Sequence, residues 1–312
     1  MNVMVTGGCG YIGTQLVNLL LKNNMKVLVI DTQWFGNYLS KHPNLIVKKK
    51  DIRDLKISDF KKIDSIIHLA NIANDPSVEL NQNLSWDVNV LASKKIIELS
   101  IKAGVKHFLY ASSGSVYGVK KEKKVTEDLD LLPISVYNRT KMISERVLLS
   151  YSNKIKVHCI RPATVCGFSD RMRLDLSVNM LTFQALKNKK ITVFGGKQIR
   201  PNIHIKDMVN LYLFFLKNKK FPVGCYNAGF ENLSILNIAK KIQKKINSKI
   251  VITKSNDNRS YRLDSSKLLK LGFAPKFTIN DSIEELIELF DNKILKDKKS
   301  FFNVKWMKSL KI

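Results

Sequence analysis

Three glycines at three-residue intervals, Gly7, Gly10 and Gly13, separate an apolar run from an amphipathic one, and little else in the chain restricts its fold so much. Val3-Met4-Val5 reads as a buried strand, while Leu16, Val17, Leu20 and Leu21 recur at helical spacing. Strand, glycine turn and helix in that order make a dinucleotide-binding unit. The glycines let the backbone approach a pyrophosphate, and the helix N-terminus presents unpaired N–H groups to it. A second apolar run, Lys26-Val27-Leu28-Val29-Ile30, ends on Asp31, where a carboxylate accepts hydrogen bonds from the adenosine ribose of NAD and repels the 2′-phosphate of NADP. Lys48, Lys49 and Lys50 can offset part of that repulsion. The expected cofactor is NAD.

A second stretch carries chemistry. Tyr137 and Lys141 are four residues apart, and Met142, Ile143, Val147 and Leu148 follow at helical spacing, so the pair opens an amphipathic helix and shares one face. An ammonium beside a phenol stabilises the phenolate and lets it act as a base near neutral pH. Ser113, on the loop after an apolar strand, can hydrogen-bond the same substrate oxygen. In a chain this rich in lysine a Tyr-x-x-x-Lys match arises about once by chance. A second copy, Tyr117 with Lys121, falls with Gly118 and the charged run 120–124 in what reads as a solvated loop.

The 312 residues suffice for one large domain or two joined ones. No apolar run is long enough to span a bilayer and the N-terminus lacks a signal-peptide layout, so the expected setting is cytoplasmic. Cys9, Cys159, Cys166 and Cys225 are too scattered for a metal-ligand pair and too few for a disulfide framework; no metal is expected. The formal net charge of +27 is nearly all lysine, spread along the chain without a nucleic-acid motif, and a lysine-biased genome accounts for it. Arginine is scarce: nine occur, six of them between 161 and 262. Its planar fork matches phosphate bidentately, which marks that half for a phosphorylated substrate.

The spacing Gly7-x-x-Gly10-x-x-Gly13 after Thr6 resembles the short-chain dehydrogenase/reductase superfamily, and its extended group acting on nucleotide sugars fits best. The resemblance recurs in order. Asp51-Ile52-Arg53-Asp54 looks like the family's adenine-contact segment. The run 66–71, ending Leu69-Ala70-Asn71, looks like its fourth strand, and Asn89-Val90 resembles its helix signature, with Leu91-Ala92-Ser93 departing from the usual Gly-Thr. Ser113 stands where the family has its catalytic serine or threonine, and Tyr137 and Lys141 at its Tyr-x-x-x-Lys. The resemblance thus implies NAD contacts at Gly7, Gly10, Tyr11, Ile12, Gly13, Asp31, Asp51, Ile52, Leu69, Ala70, Asn71, Asn89, Tyr137 and Lys141. Sugar 4,6-dehydratases of the family place an Asp-Glu pair after the catalytic threonine; this chain has Gly114-Ser115, which disfavours dehydration.

In the substrate half, Thr164 stands where many 4-epimerases carry asparagine. Asn179, near the start of a helix over 176–187, matches an asparagine that contacts the diphosphate. The strand containing Val193 looks like one lining the base pocket, and Arg200 and Arg259 match phosphate-gripping arginines. Substrate contacts are therefore expected from Ser113, Thr164, Asn179, Val193, Arg200 and Arg259. His204 reads as structural, Asp207 as the cap of a helix over 208–216, and 301–312 as a segment packed on the body or on a second subunit, with membrane-surface contact a distant second.

The expected architecture is α/β: a doubly wound parallel Rossmann sheet over 1–166, rejoined by 203–228, with a smaller α/β substrate lobe over 167–312. The expected activity is NAD-dependent C4 epimerisation of a nucleoside-diphosphate sugar by a homodimer serving polysaccharide biosynthesis. The alternatives are a 4-ketoreductase using the same residues in one direction and, from another class, a non-catalytic NAD sensor or scaffold.

Overall fold

A computed structural model describes residues 1–218, 220–255 and 260–312. The strands are β1 (Asn2–Thr6), β2 (Lys26–Asp31), β3 (Leu45–Lys49), β4 (Ser65–His68), β5 (His107–Ala111), β6 (Lys156–Pro162), β7 (Thr164–Cys166), β8 (Lys190–Phe194), β9 (Ile199–His204), β10 (Gly224–Ala228), β11 (Glu231–Ser234) and β12 (Lys249–Thr253). Seven form one all-parallel sheet in the order β10-β6-β5-β4-β1-β2-β3. The order reverses between β1 and β4, and the crevice outside the carboxyl ends of such strands is where doubly wound sheets bind ligands. The sheet is covered on both faces, so β4 is buried along its whole length and β5 up to its last residue, polar ends included.

The helix Tyr11–Lys22 buries Leu16, Val17, Leu20 and Leu21 against the sheet, the face its spacing predicts. The helix Val136–Leu149 begins at Ser135, whose hydroxyl accepts from Asn138 N at 3.1 Å; such a cap is worth about 1 kcal/mol. That helix is pinned to β6 from beneath. Arg161 forks onto Glu145 at 2.9 and 2.8 Å, both side chains nearly inaccessible, and its Nη1 donates to the Tyr117 hydroxyl at 2.6 Å. Tyr117 in turn donates to Asn227 on β10 at 2.8 Å. Tyr117 is thus fully buried, not solvated, while Lys121 beyond it is exposed and no helix joins the two.

The lobe carries a three-stranded sheet, β11-β9-β7, and a parallel pair, β12-β8. Its own core lies between these and the helices Ser177–Asn188, Ile235–Lys245 and Ile279–Asp291. Thr164–Cys166, just before the lobe expected from 167, pairs with β9. At the other end, Met307 is buried in the core of the dinucleotide domain and Trp306 Nε1 donates to Trp34 O at 2.6 Å, so the last residues return to that domain.

The helix that carries the chain back, Ile205–Lys217, is capped by His204, whose Nδ1 accepts from Lys206 N at 3.1 Å. Asp207 is not the cap. It lies inside the first turn and accepts from Lys276 N and Phe277 N, holding a distant loop.

His204 shares a property with His158, which is paired with His107 at 2.7 Å, and with His68, set between Thr6 Oγ1 at 2.6 Å and Ser93 Oγ at 2.9 Å. Burial lowers all three from the ordinary 6.5, His68 to about 3 and the other two to about 4. Below pH 6.5 the unfolded chain therefore takes up protons that the fold refuses. Stability should fall as pH drops from about 6.5 toward 4, by about 1 kcal/mol or more per histidine. Urea midpoints that stay level between pH 7 and pH 4.5 would rule these histidines out as the cause.

Candidate active site

The carboxyl ends of the central strands and the facing edge of the lobe enclose a cavity of about 580 Å³, within the range of small-molecule sites. Its floor is the glycine turn. Gly7 has φ +73°, and a Cβ there would lie 2.6 Å from Ala70 N; one at Gly13 would lie 2.3 Å from the Gly7 carbonyl oxygen. Those two glycines are demanded by packing. A Cβ at Gly10 would meet only Gly7 O, at 3.2 Å, so this glycine keeps the cavity floor bare. No side chain caps the helix that starts at Tyr11, which leaves first-turn N–H groups for an anion. The cradle fits a dinucleotide pyrophosphate.

Asp31 is oriented by its backbone neighbours: Oδ2 accepts from Cys9 N at 2.9 Å and Oδ1 from Gln33 N at 2.7 Å, while burial raises its pKa. Lys48 and Lys50 are drawn onto Asp59, at 3.2 and 2.6 Å, which weakens their power to offset the Asp31 charge. Asp51, Ile52, Leu69, Ala70 and Asn71 line the same compartment. Asn89 does not: its buried amide clasps the Ile72 backbone, accepting at 2.9 Å and donating at 3.2 Å, and also donates to Thr140 Oγ1. It shapes the loop after β4 from behind.

Ser113, Tyr137 and Lys141 share one wall of the cavity. Ser113 Oγ is 2.8 Å from Ser115 Oγ, which donates to Asn138 Oδ1 at 2.6 Å, so a hydroxyl chain fixes the serine. Burial pushes the Tyr137 phenol up to about 12, and its hydrogen bond with Ser113 opposes this. Among the described residues, no hydrogen bond joins the Lys141 ammonium to the Tyr137 hydroxyl. Lys141 Nζ donates instead to Ala111 O at 2.5 Å and lies 5.9 Å from the Tyr137 ring centroid, with burial lowering its pKa to about 7. The helix does put both residues on one face, but the buried ammonium takes the nearest carbonyl. Gly114 is closely enclosed: a Cβ would sit 2.8 Å from Leu263 Cδ1 and 3.1 Å from Pro162 O, so the first carboxylate of a dehydratase pair would require Leu263 to move aside.

From the lobe side, Thr164 and Arg200 line the cavity. Asn179 does not. Its fully buried amide accepts from Gly167 N at 3.0 Å and donates to the Tyr11 hydroxyl at 3.1 Å and to Arg173 O at 3.0 Å, which leaves it no capacity for a diphosphate. Val193 is buried in the lobe core, since its strand turns that face toward the helices. Arg259 lies outside the described residues. Arg161, counted among the arginines of the substrate half, belongs to β6 and is spent on Glu145.

Sequence reading missed the pair Arg171 and Arg173, which line the cavity together with Asp175, Tyr261, Trp34, Phe35 and Asn303. The signal for the arginines was present: two in three positions within an arginine-poor chain. Asn303 carried none, because its partners lie far away along the chain.

The profile of the NAD dependent epimerase/dehydratase family matches residues 3–229. The chain is 30% identical over 271 residues to a UDP-glucose 4-epimerase of Lactobacillus helveticus, covering 78% of this chain and 82% of that protein. Its fold is similar to that of a UDP-glucose 4-epimerase of Thermotoga maritima solved with UDP-glucose, with a TM-score of 0.87 and 25% identity over 95% of this chain and all (100%) of that one. It is similar also to a UDP-glucuronic acid 4-epimerase of Bacillus cereus in complex with UDP-glucuronic acid and NAD, with a TM-score of 0.83 and 27% identity over 94% of this chain and 100% of that one. A match over most of the chain, with the glycine cradle and the Ser-Tyr-Lys wall on one cavity, makes this protein a member of the NAD-dependent epimerase/dehydratase family.

Proposed function

We propose that the chain interconverts C4 epimers of a nucleoside-diphosphate sugar. The observation that carries this reading is the placement of Ser113, Tyr137 and Lys141 on the wall of the cavity whose floor is the glycine cradle. The likeness to 4-epimerases supports it. Tyr137 takes the proton of the sugar 4-hydroxyl, with Ser113 orienting that oxygen. NAD held on the cradle of Gly7, Gly10 and Gly13 would supply the acceptor and donor for the C4 hydride and a positive charge that favours a phenolate. The 4-keto sugar turns over within the cavity, Tyr137 gives the proton back, and no net redox change remains. Lys141 is the residue assigned to the nicotinamide ribose, and Arg200, with Thr164 nearby, to the sugar-nucleotide diphosphate.

This reading carries with it a cytoplasmic homodimer that supplies sugar nucleotides for polysaccharide assembly. Among the described residues no helix is long and apolar enough to cross a membrane. The test is to incubate the purified protein with a panel of nucleoside-diphosphate sugars, UDP-glucose and UDP-glucuronic acid included, without added reductant. The C4 epimer is the expected product. Product that forms only when NADPH is added, with one NADPH consumed per product, would replace the epimerase with a ketoreductase.

A further inference from the structure

Arg171 is a buried cation without a carboxylate of its own. It is 2% exposed, and its guanidinium carbon stands 4.1 Å from the centroid of the Phe35 ring. Nη2 donates to Asn303 Oδ1 at 2.6 Å, Nη1 reaches Met172 O at 3.4 Å, and Nε has no hydrogen-bond partner among the described residues. The adjacent acid, Asp175, is already gripped by Arg173 at 2.9 and 3.1 Å. Asp31 attracts Arg171 from further off, with its oxygens held by backbone N–H groups. Leaving a charge buried and uncompensated is costly. Arg171 opens onto the cavity that also contains the glycine cradle and Asp31. The anion such a guanidinium suits there is a pyrophosphate, which it can grip through two parallel N–H donors.

The C-terminal segment keeps Arg171 in place. Asn303 N donates to Asp175 Oδ2 at 3.2 Å, and Leu174 N donates to Phe301 O at 2.9 Å, tying the tail to the loop that carries Arg171. Three residues on, Trp306 ties the same tail to the loop at Trp34 and Phe35. The tail therefore bridges the lobe and the dinucleotide domain across the cofactor compartment.

We propose that Arg171, locked by Asn303, is a cofactor-retaining residue: its guanidinium meets the pyrophosphate of bound NAD, and the tail closes the compartment behind it so that NAD stays through successive turnovers. This rests on the NAD-dependent reading above and deepens it, since an enzyme that returns its hydride gains from never releasing the cofactor.

The experiment compares the full-length protein with Arg171→Met, Arg171→Lys and Asn303→Ala. It reads the NAD carried per protomer after purification and the rate at which bound NAD exchanges with labelled NAD. Circular dichroism and unfolding midpoints check that each variant is folded. Arg171→Met should release NAD roughly tenfold faster or more, Arg171→Lys by less because the charge survives without the fork, and Asn303→Ala in the same direction. If Arg171→Met does not fold, Arg171→Lys and Asn303→Ala decide. Folded variants that exchange NAD at the wild-type rate overturn the proposal while leaving the epimerase reading intact. A wild-type protein that binds no NAD overturns both.

Discussion

Tyr137→Phe should lower kcat by roughly a thousandfold while NAD stays bound, because the change deletes the proposed proton acceptor and almost no packing surface. The phenol is buried at the cavity wall, with Ser113 as its hydrogen-bond partner. Its two partners on the wall are poor replacements: Lys141 is committed to the Ala111 carbonyl, and Ser113 is a neutral hydroxyl inside a serine–asparagine chain. Ser113→Ala should cost less, about ten- to a hundredfold, since it removes an orienting hydrogen bond and leaves the base. Near-normal turnover in Tyr137→Phe, measured on protein with its full complement of NAD, would remove Tyr137 from the chemistry.

The largest stability effect should come from beneath the same helix. Arg161→Met strands Glu145, 1% exposed, without its bidentate partner and leaves the Tyr117 hydroxyl without its donor. Breaking one side of a buried ion pair costs about 3–5 kcal/mol. Denaturant unfolding of Arg161→Met should show that loss, and the double variant Arg161→Met with Glu145→Met should recover much of it, because no unpaired charge remains. If the double variant is as unstable as the single one, the damage is to packing, and the ion pair is not what holds the helix Val136–Leu149 to β6.

The parts legible in the sequence were those whose cause is local. The glycine turn could be read because Gly7 and Gly13 sit where a Cβ would strike backbone two or three ångströms away, a demand that no other residue type meets. The wall of Ser113, Tyr137 and Lys141 could be placed because helical periodicity fixes one face and a strand end fixes the serine. What periodicity cannot fix is where an ammonium points, and Lys141 chose a carbonyl over the phenol. Asn89 and Asn179 were assigned to ligands although both serve as backbone clasps; an asparagine has the same donors and acceptors for either task, and only burial distinguishes them. Val193 shows the same limit in a strand, where a neighbouring residue on the opposite face, Phe194, is exposed instead. Asp207 looked like a cap by type, yet the true cap, His204, accepts through a ring nitrogen. The tail was unreadable in detail because its meaning lies in contacts such as Trp306 to Trp34, 272 residues apart.

The central claim is that hydrogen leaves C4 of the sugar and returns to the opposite face of the same carbon. It is tested most directly by following that hydrogen through the epimerisation assay. A nucleoside-diphosphate sugar deuterated at C4, converted without added reductant, should yield the epimer with deuterium retained at C4 and the cofactor unchanged in amount and oxidation state. Loss of the label from C4, or its transfer into free reduced cofactor in step with product, would contradict the account.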